Sequence, residues 1–385
     1  MLSRRLPFIL AVTVLLQPLV LAQTPSRTGA LASLVQPRVP DDPLELITGD
    51  AQPVQNAEQR LAAVNLLGRA HTLSNLRAQP YDLKTTFTIT GSSSSDGVWN
   101  MEDVSPSSGV HRWTTQGPSY SVVTLFTGGI RYSSQPSMAI PLRLMQVRAA
   151  IFSNHAVGAH ASVRTASATL NGADLNCVLI GQTAPRKQSA GARLWEELEY
   201  CADAHSGVLT TWSPAPGVYV LYDYSNALSF HGKVIPGRFT ITEAGRTVVE
   251  ARVESVTDPG SPDPALFDTS TLSQTGVGSL FVHAWHIRMF VPFSVGSTND
   301  TLQTVVVHGM LTPSGELTET EVVASSSASL NQQALDIAAK MQNWHGEDEA
   351  QPGATPQQHE IFFTVFAVPA TKRSKPPAGG KTGTD

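Results

Sequence analysis

From residue 81 onward the chain is dominated by short runs in which apolar and polar residues alternate. The runs "DLKTTFTITG", "DGVWNMEDV", "GVHRWTTQ", "YSVVTLFTGGIRYSS", "DLNCVLI", "LWEELEYC", "GVLTTWSP", "GVYVLYDYS", "GRFTITEAG" and "TVVEARVESV" each read as a strand bounded by turn residues. Two segments break the alternation. Asn56 to about Leu76 carries Leu61, Val64, Leu67 and Ala70 at helical spacing and no proline before Pro80, so it predicts a helix that packs on the strands C-terminal to it. In "PLRLMQVRAAIF", Leu142, Leu144, Met145, Val147 and Ile151 also suit a helix. Many short strands with one or two helices predict an antiparallel sheet curling over those helices, an α+β class. Asp203, Ser206 and Gly207 of "DAHSG" supply the side-chain and left-handed options of a tight turn.

After residue 301 the order of signals changes. "TVVVHGMLT", the turn "PSGE" and "LTETEVV" predict a hairpin, with Gly315 free to take positive φ. A helix comes next, with Ser329 and Gln332 spaced as a capping box, and Leu330, Ala334, Ile337, Met341 and Trp344 form one apolar stripe that lies across a sheet. The last strand, "EIFFTVFAV", completes a small β-β-α-β unit. Ile361, Phe362, Phe363, Val365 and Phe366 place apolar side chains on both of its faces, and Thr364 lies among them. Apolar side chains on both faces predict that the strand lies inside the sheet, between the helix stripe and the rest of the chain or a second copy of it.

A chain of 385 residues accommodates two or three domains, and 41% hydrophobic content suffices for a sizeable core. The formal charge of −5, with no Lys/Arg stripe, excludes nucleic acid as the main partner. Residues 1–22, with Arg4 and Arg5 before an apolar run to Ala22, read as a secretory signal cleaved after Ala22; an uncleaved inner-membrane anchor is the alternative. Residues 23–55, with Pro25, Pro37, Pro40, Pro43 and Pro53, read as a linker, and 371–385 as a disordered tail. In an exported chain two cysteines favour one disulfide. Cys177 and Cys201 lie twelve positions either side of Ser189, so a hairpin centred there sets them opposite one another, as a cross-strand bridge requires.

Motifs of chemistry are missing. The sequence has no GxSxG elbow, HExxH, P-loop, dinucleotide fingerprint or CxxC pair, so no enzyme activity, cofactor or metal is expected. Glu196, Glu197 and Glu199 read as solvated charges, as do Asp96, Glu102 and Asp103. His283 and His286 of "HAWH" read as packing or surface residues.

The helix leading into "YDLKTTFTITG", the "YCADAHSGVLTTW" strand, turn and strand, and the closing "DPALF" together resemble the half-barrel domains of periplasmic lipoprotein carriers (LolA and LolB-like), over residues 56–268. That resemblance implies a concave apolar face and an acyl-chain ligand. Residues 302–370, after a connector at 269–301, resemble the C-terminal domain of TonB in the order strand, strand, helix, strand, with Gly309, Gly315, Val322 to Ser326, and Leu330-Asn331 followed by Ala334-Leu335. This implies that the last strand, Ile361 to Phe366, binds an extended segment of an outer-membrane protein. Asn331 and Ser327 depart from the family pattern, "HGEDEAQPGATPQQ" intervenes after the helix, and the first apolar run has no His. The expectation is therefore a periplasmic envelope protein with a peptide-binding module in TonB-type transport or envelope assembly. Its alternative is a periplasmic lipid or lipoprotein carrier with a structural C-terminal unit.

Overall fold

A computed structural model describes residues 51–91, 95–138, 140–152, 157–181, 191, 193–194, 197–215, 217–243, 245–277, 285–293, 303–312, 314–325, 328–340 and 359–369. The signal segment, most of the predicted linker, the C-terminal tail, Met341, Trp344 and His283 lie outside these residues.

The alternating runs form two antiparallel meanders. The first comprises β2 (Tyr81–Ile89), β3 (Gly97–Ser107), β4 (Val110–Gly117), β5 (Tyr120–Thr127) and β6 (Ile130–Ser133). "YSVVTLFTGGIRYSS" is thus two strands rather than one: Thr127 pairs with Ile130, and the two residues between them, Gly128 and Gly129, both take positive φ, as a tight hairpin turn requires. The second meander comprises β7 (Ser162–Leu170), β8 (Ala173–Gly181), β9 (Leu198–Asp203), β10 (Leu209–Ala215), β11 (Val218–Asp223), β14 (Arg238–Glu243) and β15 (Arg246–Thr257). A small ribbon of β12 (Leu228–Phe230) and β13 (Lys233–Ile235) interrupts it. Pairing of β15 with β2 joins the meanders into one 14-stranded sheet. Its edges are β1 (Gln52–Pro53) against β7 and β16 (Ser273–Val277) against β6. The expected hairpin is present, with Cys177 opposite Cys201 and a disulfide between them.

Helices α1 (Ala57–Ser74) and α2 (Leu142–Phe152) occupy the inner face of this sheet. Along β2 every second residue from Tyr81 to Ile89 turns inward and is buried. Phe87, Trp99, Phe239 and Ile241 of the sheet form the main core with Leu144, Met145 and Val147 of α2. The Asn56 side chain caps α1 by accepting from the Gln59 amide at 2.9 Å. Its Ala63, Leu67 and Ala70 meet Val163, Val178, Ile180, Tyr200 and Leu209. Leu61 and Val64, expected in that interface, instead face outward, with Leu61 58% exposed.

Residues 269–301 do not merely connect. They supply β16 to the large sheet and β17 (Trp285–Phe293), which contains His286, to a second one. This smaller sheet runs β17, β20 (His359–Pro369), β18 (Gln303–Leu311), β19 (Leu317–Ser325). Gly315 has φ of +80° in the predicted turn. Helix α3 (Asn331–Ala338) follows a short 3-10 turn at Ala328–Leu330 and has no side-chain cap at its first residue, so the predicted capping box does not set its start. Its Ala334 and Ala338, with Leu330, cover Val305, Val307, Leu311, Leu317, Ile361 and Val365. The opposite face of the sheet turns Val306 and Val323 into the main core around α2.

Strand β20 is interior. It pairs in parallel with β17 through Trp285 to Ile361 and on to Phe293 to Pro369, and antiparallel with β18 through Gln303 to Ala367 and on to Leu311 to His359. Its backbone donors and acceptors are committed on both sides, so Ile361, Phe362, Phe363, Thr364, Val365 and Phe366 offer no free edge. The additional parallel strand corrects the strand-addition expectation. The order strand, strand, helix, strand is present, but nothing further supports a TonB-like unit.

Candidate functional site

The two helices are held differently. Nine residues of α2 are buried, including the polar Arg143, Gln146 and Arg148, against three in α1, Ala63, Leu67 and Ala70. Helix α1 is instead pinned by cations at the sheet rim. Arg60 donates to the carbonyls of Ala161 at 2.9 Å and Gly158 at 2.7 Å, Arg69 to Ser206 at 2.9 Å, and Lys233 Nζ to Thr72, in the helix's own last turn, at 2.7 Å.

Two separate concavities lie at opposite ends of α1. Beside its first half lies an open groove of about 800 Å³, within the range of small-molecule sites, with Ala62, Ala63 and Leu66 of the helix on one wall and Thr165, Ser167 and Asn176 of β7 and β8 on the other. At its far end, where α1 and α2 both stop, a cavity of about 30 Å³ is lined by Leu76, Ile151, Leu209, Tyr222, Phe239 and Val253, room for a water or two. Leu209 also belongs to the cluster beneath the helix, so apolar side chains run between groove and cavity. An 18-residue helix makes this track about 27 Å long. Tyr222 closes the cavity by donating to the Ala150 carbonyl of α2 at 2.7 Å, and Tyr224 donates to Leu209 at 3.0 Å. Burial pushes both phenols above their ordinary range, so they remain neutral donors.

Several acids that read as solvated are buried. Asp103, with none of its surface exposed, accepts from Tyr81 Oη at 2.6 Å, and that hydroxyl lies 3.2 Å from His111 Nδ1. Burial raises the Tyr81 phenol, and the Asp103 charge and hydrogen bond add to the effect. Above them Arg148 of α2 lies 4.5 Å over the Trp113 ring and donates to Thr115 Oγ1 at 3.2 Å. Burial pulls its guanidinium below its usual value; Tyr120 and Asp103 oppose this and Arg131 adds to it. Neither groove nor cavity is lined by this cluster, which ties α2 to β2, β3 and β4. On the outer face Arg164 grips Glu197 through two bonds of 2.7 and 2.6 Å, while Arg193 reaches Glu199 at 3.1 Å and Ser213 at 2.7 Å. Asp96 and Glu102 keep the expected character, Asp96 exposed and accepting from the Gly91 amide at 3.2 Å and Glu102 in a surface pair with Lys84 at 3.1 Å; Glu196 lies outside the described residues.

Cys177, Glu199 and Cys201 bring three potential ligand atoms within 4.8 Å of one another. The two sulfurs are joined in the disulfide and Glu199 accepts from Arg193, so the set has no thiolate to offer a metal. Among the described residues no helix is long and apolar enough to cross a membrane. Sequence reasoning found the cysteine pair but neither concavity. Apart from Leu66 and Cys177 the groove is lined by alanine, proline and small or amide polar residues, which carry little periodic signal.

No family model matches this chain, and no curated protein matches it. Solved structures do. A LolA superfamily protein from Nitrosomonas europaea is 9% identical, with 54% of this chain and 97% of that one covered at a TM-score of 0.38. A putative outer membrane lipoprotein-sorting protein domain from Vibrio parahaemolyticus is likewise 9% identical, over 54% of this chain and 97% of that chain, with a TM-score of 0.35. A DUF1329 family protein from Desulfovibrio piger is 7% identical over 55% and 98%, with a TM-score of 0.36.

Proposed function

We propose that this protein is an exported, periplasmic carrier or sensor of an acyl-chain amphiphile, and that the chain binds along α1 between the helix and β7 to β10. It acts by binding, without catalysis, and the C-terminal sheet serves to hold α2. The observation that carries the reading is the open groove of about 800 Å³ beside α1, a helix that lies on an apolar cluster with only three buried residues of its own. A chain entering the groove gains apolar burial at about 0.8 kcal/mol per methylene. It displaces a thin interface rather than a packed core. Thr165, Ser167 and Asn176 form the wall of the groove opposite Ala62, Ala63 and Leu66.

The test is solvent extraction of the purified full chain followed by mass spectrometry, alongside fluorescence titration with a hydrophobic naphthalene dye. Co-purified lipid or saturable dye uptake is expected. The variant Ala62→Trp, which places a large ring on the exposed groove wall, should reduce uptake at an unchanged melting temperature. No lipid and no saturable dye signal would refute the carrier reading.

A further inference from the structure

The rim of the α1 track is cationic in a chain whose net charge is −5. Arg69, His71 and Arg77 lie in or just beyond the last two turns of α1, and Lys233 of β13 packs against the end of that helix. The hydrogen bonds of Arg60, Arg69 and Lys233 go to backbone carbonyls, those of Ala161, Gly158 and Ala159, of Ser206, and of Thr72. Among the described residues none of the three has a carboxylate within ion-pair distance, although the same fold pairs Arg143, Arg164 and Arg193 with glutamates. A carbonyl orients a cation without neutralising it, and a residual positive field is left at the end of the track where the cavity lies. His71 registers that field. Burial lowers its imidazole pKa, and the charges of Arg77 and Lys233 push it further in the same direction. The cavity residues Ser74, Leu76 and Ile235 are within three positions of His71, Arg77 and Lys233 in the chain, so charge and apolar lining adjoin.

We infer that the ligand class is an anionic amphiphile, whose carboxylate or phosphate head is held at the C-terminal end of α1 by Arg69 and Lys233 while its acyl chain lies under the helix. The inference rests on the carrier reading and narrows it. Each solvent-exposed pair contributes little alone, and two or three acting together make a preference of roughly tenfold over a neutral head. The side chains need not be built anew, because exchanging a carbonyl for an anion strengthens each hydrogen bond.

Binding of palmitate, hexadecanol, a palmitoyl lysophosphatidate and inorganic phosphate to the full chain tests this by dye displacement. Palmitate and the lysophosphatidate should bind about tenfold more tightly than hexadecanol. The gap should close in Lys233→Gln and Arg69→Gln, and shrink as salt rises. Arg69 is exposed and Lys233 half-buried, and each substitution removes a hydrogen bond that holds α1, so a small fall in each melt is expected and affinities are compared where both variants remain folded. Equal affinity for palmitate and hexadecanol, unmoved by either substitution, would overturn the anionic preference and leave the carrier reading standing. Displacement by inorganic phosphate as effectively as by palmitate would show an anion site without a chain and overturn the amphiphile. Failure of every probe would overturn both readings together.

Discussion

Removing the charge of Glu243 should cost as much stability as truncating a large core side chain at the inner face. Glu243 ends β14 and receives Arg143 of the first turn of α2, Nη2 to Oε2 at 2.7 Å and Nη1 to Oε1, with Gln146 Nε2 adding a bond of 3.0 Å to Oε1. Both charged partners are nearly inaccessible, and Arg143 Nε has no hydrogen-bond partner. In Glu243→Gln the guanidinium stays buried without a counter-charge, and breaking such a pair costs about 3–5 kcal/mol. The amide keeps one acceptor oxygen, so the lower end, about 3 kcal/mol, applies. For a unit of this size that is a melting temperature lower by roughly 6–12 °C. Thermal unfolding followed by circular dichroism measures it. A shift of 1 °C or less would refute the reasoning. So would a double variant Arg143→Met with Glu243→Leu no more stable than the single one, because replacing both partners removes the orphaned charge.

The same pair sets an acid limit. Burial alone would raise the Glu243 carboxyl, but the Arg143 charge, the hydrogen bonds from Arg143 and Gln146, and the more distant His308 outweigh it and hold the carboxyl below its ordinary range. A folded-state pKa that is depressed contributes stability present above the unfolded value and lost as pH falls through the folded one. The parent protein should therefore lose stability below about pH 4.5 more steeply than the Glu243→Gln variant, and parallel acid titrations of the two check this.

The disulfide joins residues 24 apart, and Cys177→Ala with Cys201→Ala should cost about 3 kcal/mol on the chain-entropy account; an unchanged denaturant midpoint would contradict it. Gly237→Ala would put a Cβ 2.2 Å from the Asn226 carbonyl oxygen, backbone that cannot swing aside, so about 1–3 kcal/mol should be lost in the same assay. Gly68→Ala meets nothing within 4 Å on α1 and should gain up to about 1 kcal/mol; a loss there would mean that the exposed face of α1 is covered.

Most of the sheet is legible in the sequence because its strands alternate and its turns carry glycine, and counting alone sets Cys177 and Cys201 opposite one another. Strand β7 is not. "SVRTASATL" has small and hydroxyl side chains on both faces, and it becomes a strand because β8 and β1 pair with it. Strand β17 is hidden in the expected connector, since a parallel partner 76 residues later, as from Trp285 to Ile361, leaves no local signal. Glu197 and Glu199 look solvated in the sequence because burial of a carboxylate depends on a cation from elsewhere: Arg164 lies 33 positions from Glu197. The alternation in "EELEYC" does place Glu197, Glu199 and Cys201 on one face, and the burial of the cysteine is the available clue. The double apolar faces of β20 correctly imply an interior strand, and the free-edge alternative is carried by resemblance rather than by the residues.

On the carrier proposal, the unequal burial of the two helices would set where a ligand enters. Helix α2 is enclosed by the large sheet on one side and by Val306 and Val323 of the small sheet on the other. Displacing it would expose most of the main core together with the Arg143–Glu243 pair. The apolar hold on α1 is Ala63, Leu67 and Ala70 with the half-buried Leu66, roughly 5–6 kcal/mol at about 0.8 per methyl, 2–3 for Leu67 and half as much for Leu66. An acyl chain recovers that amount with about six to eight methylenes. A chain of ordinary membrane length therefore has more than enough apolar surface to take the place of α1 on β7 to β10, and none of the leverage to move α2. The cations that pin α1 are then exchanged from carbonyls to the ligand's head, so the bonds lost as the helix shifts are the ones that an anion restores. On this account the C-terminal sheet matters to binding without touching the ligand. It makes α2 the fixed wall, so that the path beneath α1 is the one that yields.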